Sequence, residues 1–398
     1  MNGGNIMRLM LIFIAILAIG WPKLAYSKWH KASSDHFLIY ADQSESDLRD
    51  FAEKLEKYHS AMEIVNSQLF GQRISGPPSP SNRVTIFVVG GQKSVRKLAG
   101  KGSRNVAGFY RSRAGGSVAF VPRVRDGRGK EVSFSEIVLL HEYAHHFQLS
   151  NSQGRLPNWF TEGYAEYFAS AAFERDGAVW VGRPAQHRAG ELLNLRNLPL
   201  EYLFDAKAYA ARKEKSSSYD SFYGRSWALF HYLTLARLNR DAERGDDLGL
   251  YINAVAKGEN PVTAAQDAFG DFKKLDKELN RYIRGRMNAL RLPPDWIKYG
   301  AITVTPMGKG AAKIMPLYQQ SRNGVTREQA LELVIEAREI AALYPNDDFV
   351  QAALAEAEFD AGNNEEAIAA ADRSIASNPQ NINAYIQKMY ALFSIARK

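Results

Sequence analysis

Two histidines four positions apart, His141 and His145, enclose Glu142 in the run His141-Glu142-Tyr143-Ala144-His145. On a helix, residues at i and i+4 lie about 40° apart around the axis and roughly one turn along it. Both imidazoles then leave the same face and can share one metal ion. Glu142 stands about 100° round from His141, where its carboxylate can reach a water on that ion without ligating it. This is the H-E-x-x-H pattern, in which the histidines bind zinc and the glutamate serves as general base. His146, about 140° round from His141, is expected to point elsewhere.

Two histidines do not complete a catalytic site, and a third ligand is sought downstream. The segment Pro157-Asn158-Trp159-Phe160-Thr161-Glu162-Gly163-Tyr164-Ala165-Glu166-Tyr167 carries Glu162 and Glu166, again at i and i+4. They sit among Trp159, Phe160, Tyr164 and Phe168, and carboxylates in apolar surroundings need partners. One of the two would complete a His₂Glu set with an open fourth position. The other would stand a turn away and hydrogen-bond a ligand imidazole, fixing its tautomer.

The elements that must carry these residues can be read around them. Ser133 or Ser135 is a candidate cap for a helix through Ile137, Val138, Leu140, Ala144 and Phe147, buried on one side and uncharged around the histidines. Further helices are expected from Trp159 to Phe173, Tyr223 to Leu238 and Asp271 to Leu290. Upstream, 36–41 and 83–89 read as strands. Leu48, Phe51, Leu55, Tyr58, Met62, Val65 and Leu69 mark a helix between them. Two short strands, 106–110 and 117–121, are expected to be joined by a Gly115-Gly116 turn.

Composition sets the outer bounds. The chain has 398 residues and no cysteine, which excludes disulfides, thiolate ligands and a cysteine nucleophile. Any metal must be held by His and carboxylate. Arg8, the apolar run Leu9 to Ile19 and the exit Ala25-Tyr26-Ser27 read as a secretory signal peptide, too short to be a spanning helix. An uncleaved anchor is the alternative. Cleavage would remove Arg8 and Lys23, leaving a modest positive charge with no dense basic block, so nucleic acid is not an expected partner. The mature protein is expected to be periplasmic or secreted, with no transmembrane segment.

The last segment is alanine-rich and repetitive. Tyr344-Pro345-Asn346 recurs as Asn378-Pro379-Gln380, a spacing of 34 residues that resembles the tetratricopeptide repeat. Ala353, Ala355, Ala361, Gly362 and Ala367 supply small residues where paired helices touch and turn. One repeat spans 346–379, the preceding one is partial, and 382–396 reads as a closing helix. So short an array is expected to pack on the rest of the chain, where it could bind a protein partner. The expected organisation is a leader at 1–27, an α/β part at 28–132, a helical part at 133–290, a linker at 291–324 and helical repeats at 325–398.

Together the two motifs resemble the gluzincin metallopeptidases, in particular the peptidase MA-like family, often fused to tetratricopeptide repeats. The resemblance covers roughly residues 29–290, and implies an α+β, zincin-like catalytic domain: a small mixed sheet, an active-site helix and a helical subdomain, here followed by an all-α tail. It implies one zinc ion, with Glu162 as third ligand and Glu166 as the acid behind a ligand histidine. The spacer after His145 is shorter than in gluzincin aminopeptidases, which keeps Glu166 as the alternative ligand. The segment Tyr223-Gly224-Arg225-Ser226-Trp227 resembles the place where those enzymes carry a tyrosine that stabilises the oxyanion. Tyr223 is the candidate and Tyr219 the second choice; His231, further along, reads as a core histidine. Those enzymes anchor a substrate amine with a Glu in a G-x-M-E-N strand. The corresponding Gly115 to Val121 has no acid, so aminopeptidase specificity does not carry over.

The expected activity is hydrolysis of peptide bonds by a Glu142-activated water, with an extended peptide aligned on a strand near 117–121. The alternative is a cell-envelope scaffold that binds through its repeats and retains a non-catalytic zinc site.

Overall fold

The computed structural model describes residues 29–71, 79, 82–100, 106–113, 116–123, 132–152, 154, 156–216, 218–241 and 243–397. The expected leader at 1–27, and Gly115 of the expected turn, lie outside these residues. The architecture is mixed α and β, with a small sheet near the N-terminus and a helical C-terminal region.

The chain opens with β1 (His30–Ser33), β2 (Phe37–Ala41), α1 (Glu45–Phe70), β3 (Val84–Val88), α2 (Gln92–Ala99), β4 (Phe109–Arg111) and β5 (Val118–Val121). Helices α3 (Phe134–Asn151) and α4 (Asn158–Ala169) follow, then β6 (Ala172–Phe173) and β7 (Val179–Val181). A 3-10 turn at Gln186–Arg188 leads into α5 (Ala189–Asn194), α6 (Glu201–Phe204), α7 (Ala206–Lys215) and α8 (Phe222–Leu238). Next come α9 (Asp247–Ala256), α10 (Pro261–Phe269), α11 (Phe272–Arg284), β8 (Leu290–Leu292) and β9 (Thr303–Pro306). The chain closes with α12 (Lys309–Asn323), α13 (Arg327–Leu343), α14 (Asp348–Asp360), α15 (Asn364–Ser377) and α16 (Ile382–Ala396).

The six-stranded sheet has the order β4-β5-β3-β2-β1-β9. Strands β2, β3 and β5 are parallel, whereas β4, β1 and β9 run antiparallel to their neighbours. Alternation along each strand sends side chains to opposite faces, and both faces are covered. Phe37, Ile39, Val84, Ile86 and Ala119 join Leu55, Tyr58, Leu140 and Phe147 of α1 and α3 in one core. Tyr40, Phe87, Val118 and Phe120 join Met315, Tyr318, Val334 and Leu354 of the C-terminal helices in a second.

Three expectations are corrected here. Residues 291–324 are not a linker: they finish β8, which pairs with β7, and form β9 and α12. Strand β9 returns to the first sheet and pairs with β1. The strand at 117–121 is not an edge, because β5 lies between β3 and β4, so the edge nearest α3 is β4. The helix expected from Asp271 also stops early, at Arg284, where Gly285 closes the last turn onto the Tyr282 carbonyl. No helix among the described residues is long and apolar enough to cross a membrane.

Candidate metal centre

Helix α3 starts with a reciprocal cap. Ser133 Oγ accepts from the Glu136 N–H, and the Glu136 carboxylate accepts from the Ser133 N–H at 2.8 Å. Its buried side is fixed by two long-range contacts. Tyr58 donates to the Leu140 carbonyl at 2.9 Å, and the Tyr143 hydroxyl meets His59 Nδ1 at 2.7 Å. With Leu140, Tyr143, Ala144 and Phe147 turned inward, the helical period sends His141, Glu142 and His145 to the half-exposed side.

Helix α4 crosses α3 and brings up its acids. His141 Nε2 and His145 Nε2 are 3.1 Å apart, and Glu162 Oε2 lies 3.4 Å from each. Tetrahedral zinc with ligand bonds of about 2.0–2.1 Å has ligand-to-ligand edges of about 3.3–3.4 Å. The three atoms therefore span one face of such a tetrahedron. Glu162 Oε2 is buried and accepts no hydrogen bond, an arrangement that is costly unless a cation completes it. Among the described residues these three form the one cluster of three or more His, Asp or Glu side chains that could hold a metal ion. Burial opposes charge on Glu162, but the two imidazoles outweigh it and hold the carboxyl down at about 2. Burial likewise opposes charge on His141, and Glu162 and Glu166 overcome it, raising the imidazole to about 9.

Glu166 is 1 % exposed and stands behind the triangle. Its Oε1 lies 3.2 Å from His141 Nδ1, the nitrogen turned away from the triangle. It also accepts from Arg188 Nη2 at 2.5 Å, while Oε2 meets His187 Nε2 at 2.5 Å. Glu166 thus contacts the far nitrogen of His141, and Glu162 is the carboxylate that faces the space between the two histidines. Arg188 continues the chain of contacts to Glu191 at 2.8 Å, and the other oxygen of Glu191 accepts the Gly224 N–H at the start of α8. The sequence reading did not find His187, Arg188 or Glu191. They sit on a 3-10 turn and a short helix with no periodicity to mark them.

The two tyrosines separate clearly. Tyr223 is 37 % exposed, with the Arg188 guanidinium 4.8 Å from its ring centroid. Burial, followed by the negative charge of Glu162, raises its hydroxyl above the ordinary range, with Glu166 and Glu142 adding to it. Tyr219 is 65 % exposed and its hydroxyl is engaged by Glu191. His146 does point elsewhere, to the Tyr110 hydroxyl at 2.9 Å and the Asn82 carbonyl at 3.1 Å. His231 is a core residue, held between Tyr282 Oη and the Gly182 carbonyl at 2.6 and 2.7 Å. Burial lowers its pKa to about 4, keeping it neutral.

Residues 138–244 match a family described as "Protein of unknown function (DUF1570)". The matched stretch begins just before His141, passes Glu162, Glu166 and Arg188, and ends beyond α8. No curated protein matches the chain.

Proposed function

We propose that this chain is a zinc-dependent metallopeptidase of the gluzincin type, exported from the cytoplasm, whose C-terminal helices are tetratricopeptide-like. The carrying observation is the triangle of His141 Nε2, His145 Nε2 and Glu162 Oε2 at 3.1, 3.4 and 3.4 Å. It has the edge lengths of a zinc tetrahedron and leaves the fourth vertex to water and substrate. The helix pair α14 and α15, followed by α16 after one 34-residue period, supports the repeat reading.

Zinc at such a site supplies Lewis acidity, polarising a substrate carbonyl and acidifying water from ~15.7 toward ~7. The chain's own residues account for the rest. Glu142, on the same helix face as the ligands, removes the proton from the attacking water and delivers it to the leaving amine. Tyr223 donates its hydroxyl proton to a hydrogen bond with the developing oxyanion; its raised pKa keeps that proton in place. Glu166, backed by His187 and Arg188, holds His141 with Nε2 directed at the centre. An extended polypeptide aligns by strand addition on the side of β4 that no described strand pairs with, beside Tyr110.

The test is Glu142→Gln. Zinc content should remain at one ion per chain, whereas hydrolysis of unfolded protein substrates should fall by about 10²–10⁴-fold. A variant that binds zinc and cleaves at the normal rate would remove the mechanism. The scaffold reading draws on one feature, the outer face of α16, where Tyr385, Met389, Leu392 and Phe393 are exposed. One zinc per chain with no cleavage of any substrate would favour it.

A further inference from the structure

Strand β4 has a second side that the hydrolytic reading leaves unused. The Tyr110 hydroxyl meets His146 on α3, and Glu142 adds to the upward shift of its pKa that burial begins. Tyr110 therefore turns toward α3. Its neighbours turn the other way, as strand alternation requires. Phe109 stacks on Phe120 at 4.9 Å, and Arg111 Nε donates to Asn323 Oδ1 at the end of α12 at 2.7 Å. On that side a groove of about 600 Å³ opens between β4 and the turn from α12 to α13. Arg111 and Arg113 line it with Asn323, Thr326 and Gln329, and among the described residues no acid does.

We propose that Arg111 and Arg113 form a subsite for acidic side chains of an extended polypeptide lying on the β4 edge. The inference rests on the polypeptide reading of the centre and deepens it by naming a substrate class. A strand added to β4 alternates its side chains as β4 does. Residues directed toward α3 alternate with residues directed into the groove. There the Arg111 guanidinium is held by a neutral acceptor, Asn323, which orients it without cancelling its charge; Arg113 donates to the Ser321 carbonyl at 3.3 Å and also faces Asp360. Carboxylates are the partners such forks match, through paired charge-assisted hydrogen bonds. The N-terminus of the 17-residue helix α13, at Thr326, adds positive potential to the same wall. Among the described residues Tyr110 is the one aromatic at the groove, and its hydroxyl is tied to His146 on the α3 side of β4, so bases of a nucleic acid would find no free ring to stack on.

Binding can be read without turnover. The full chain carrying Glu142→Gln is titrated with fluorescein-labelled unstructured peptides that differ only in Glu, Gln or Lys at alternate positions, followed by anisotropy. The Glu peptide should bind about tenfold tighter than the Gln peptide, the size of one charge-assisted contact, and its affinity should fall with salt. Arg111→Glu should abolish that preference and favour the Lys peptide. Arg111 is the better probe, because Arg113 also faces the buried carboxyl of Asp360. Equal affinity for the Glu and Gln peptides overturns the proposal. So does a preference that survives Arg111→Glu, or tighter binding of a single-stranded oligonucleotide. The peptide comparison needs no change at Arg111, so it decides even if that variant does not fold. Selective binding of the Glu peptide with no cleavage by the unmutated chain would sink the hydrolytic reading and spare the subsite. Cleavage indifferent to peptide charge would do the reverse.

Discussion

Glu166 carries more of the centre's geometry than its distance from the shared cation position suggests. It is nine-tenths and more buried, and three donors converge on its two oxygens: His141, His187 and Arg188. Burial alone would protonate it, but these partners prevail and hold the carboxyl well below the ordinary range. A charged acceptor behind His141 favours the tautomer with Nε2 free for metal. Glu166→Gln keeps the shape and removes the charge. Zinc affinity, measured by competition with a chelator, should fall about 10–100-fold, while the thermal transition persists. Unchanged affinity would reduce Glu166 to a packing role. The histidine spacing and both acids were legible in sequence because a helix converts i and i+4 into one face. His187 and Arg188 were not, since they reach Glu166 through the tertiary return of the chain after β7. Nothing local distinguishes them from other solvated polar residues.

Between elements, the decisive contact is the crossing of α4 and α8, which sets Glu162 and Glu166 beside Tyr223. Gly163 makes that closeness possible. A Cβ there would lie 2.4 Å from the Ser226 carbonyl oxygen and 2.8 Å from Phe230 Cβ, both on α8. Neither atom belongs to a flexible chain end, so the helices would have to separate. Gly163→Ala should destabilise the fold by about 1–3 kcal/mol as an overpacked contact. It should also weaken zinc binding, since Glu162 precedes the displaced residue. Denaturant unfolding and zinc titration together check this, and a variant with both unaltered would show that α8 can shift without moving the centre. Helices α1, α3 and α8 were legible because long apolar periodicity marks them. The stretch 291–324 was not. Strand β9 is short and lies at the sheet edge with three of its four residues exposed, and α12 carries Pro316 inside it. Both weaken the patterns from which strands and helices are read.

For the whole molecule, the C-terminal helices are the second cover of the sheet rather than an appendage. Tyr40 and Phe87 meet Tyr318 of α12 at 6.3 and 5.6 Å, and Tyr40 meets Phe349 of α14 at 5.5 Å. Polar ties follow the same seam: Arg322 reaches the Gly116 carbonyl at 3.3 Å, and Asn323 reaches the Leu98 carbonyl at 2.7 Å. The repetition visible in sequence led to the expectation of helices packed on the rest of the chain, but not that they would complete the core on one face of the sheet. A chain ending after Met307 keeps every strand, including β9 and the bond from the Met307 N–H to the Trp29 carbonyl, and loses only this cover. An aromatic side chain buries roughly 200 Å². Exposing about half of that on Tyr40, Phe87 and Phe120 costs roughly 7 kcal/mol at ~25 cal/mol per Å². Domains of this kind have about 5–15 kcal/mol in total, so the shortened chain should lack a cooperative thermal transition and bind no zinc. The full chain should unfold in one step. A truncated chain that melts cooperatively and retains one zinc would show that the metal centre folds without the helices, and that the groove beside β4 is a junction between separable parts.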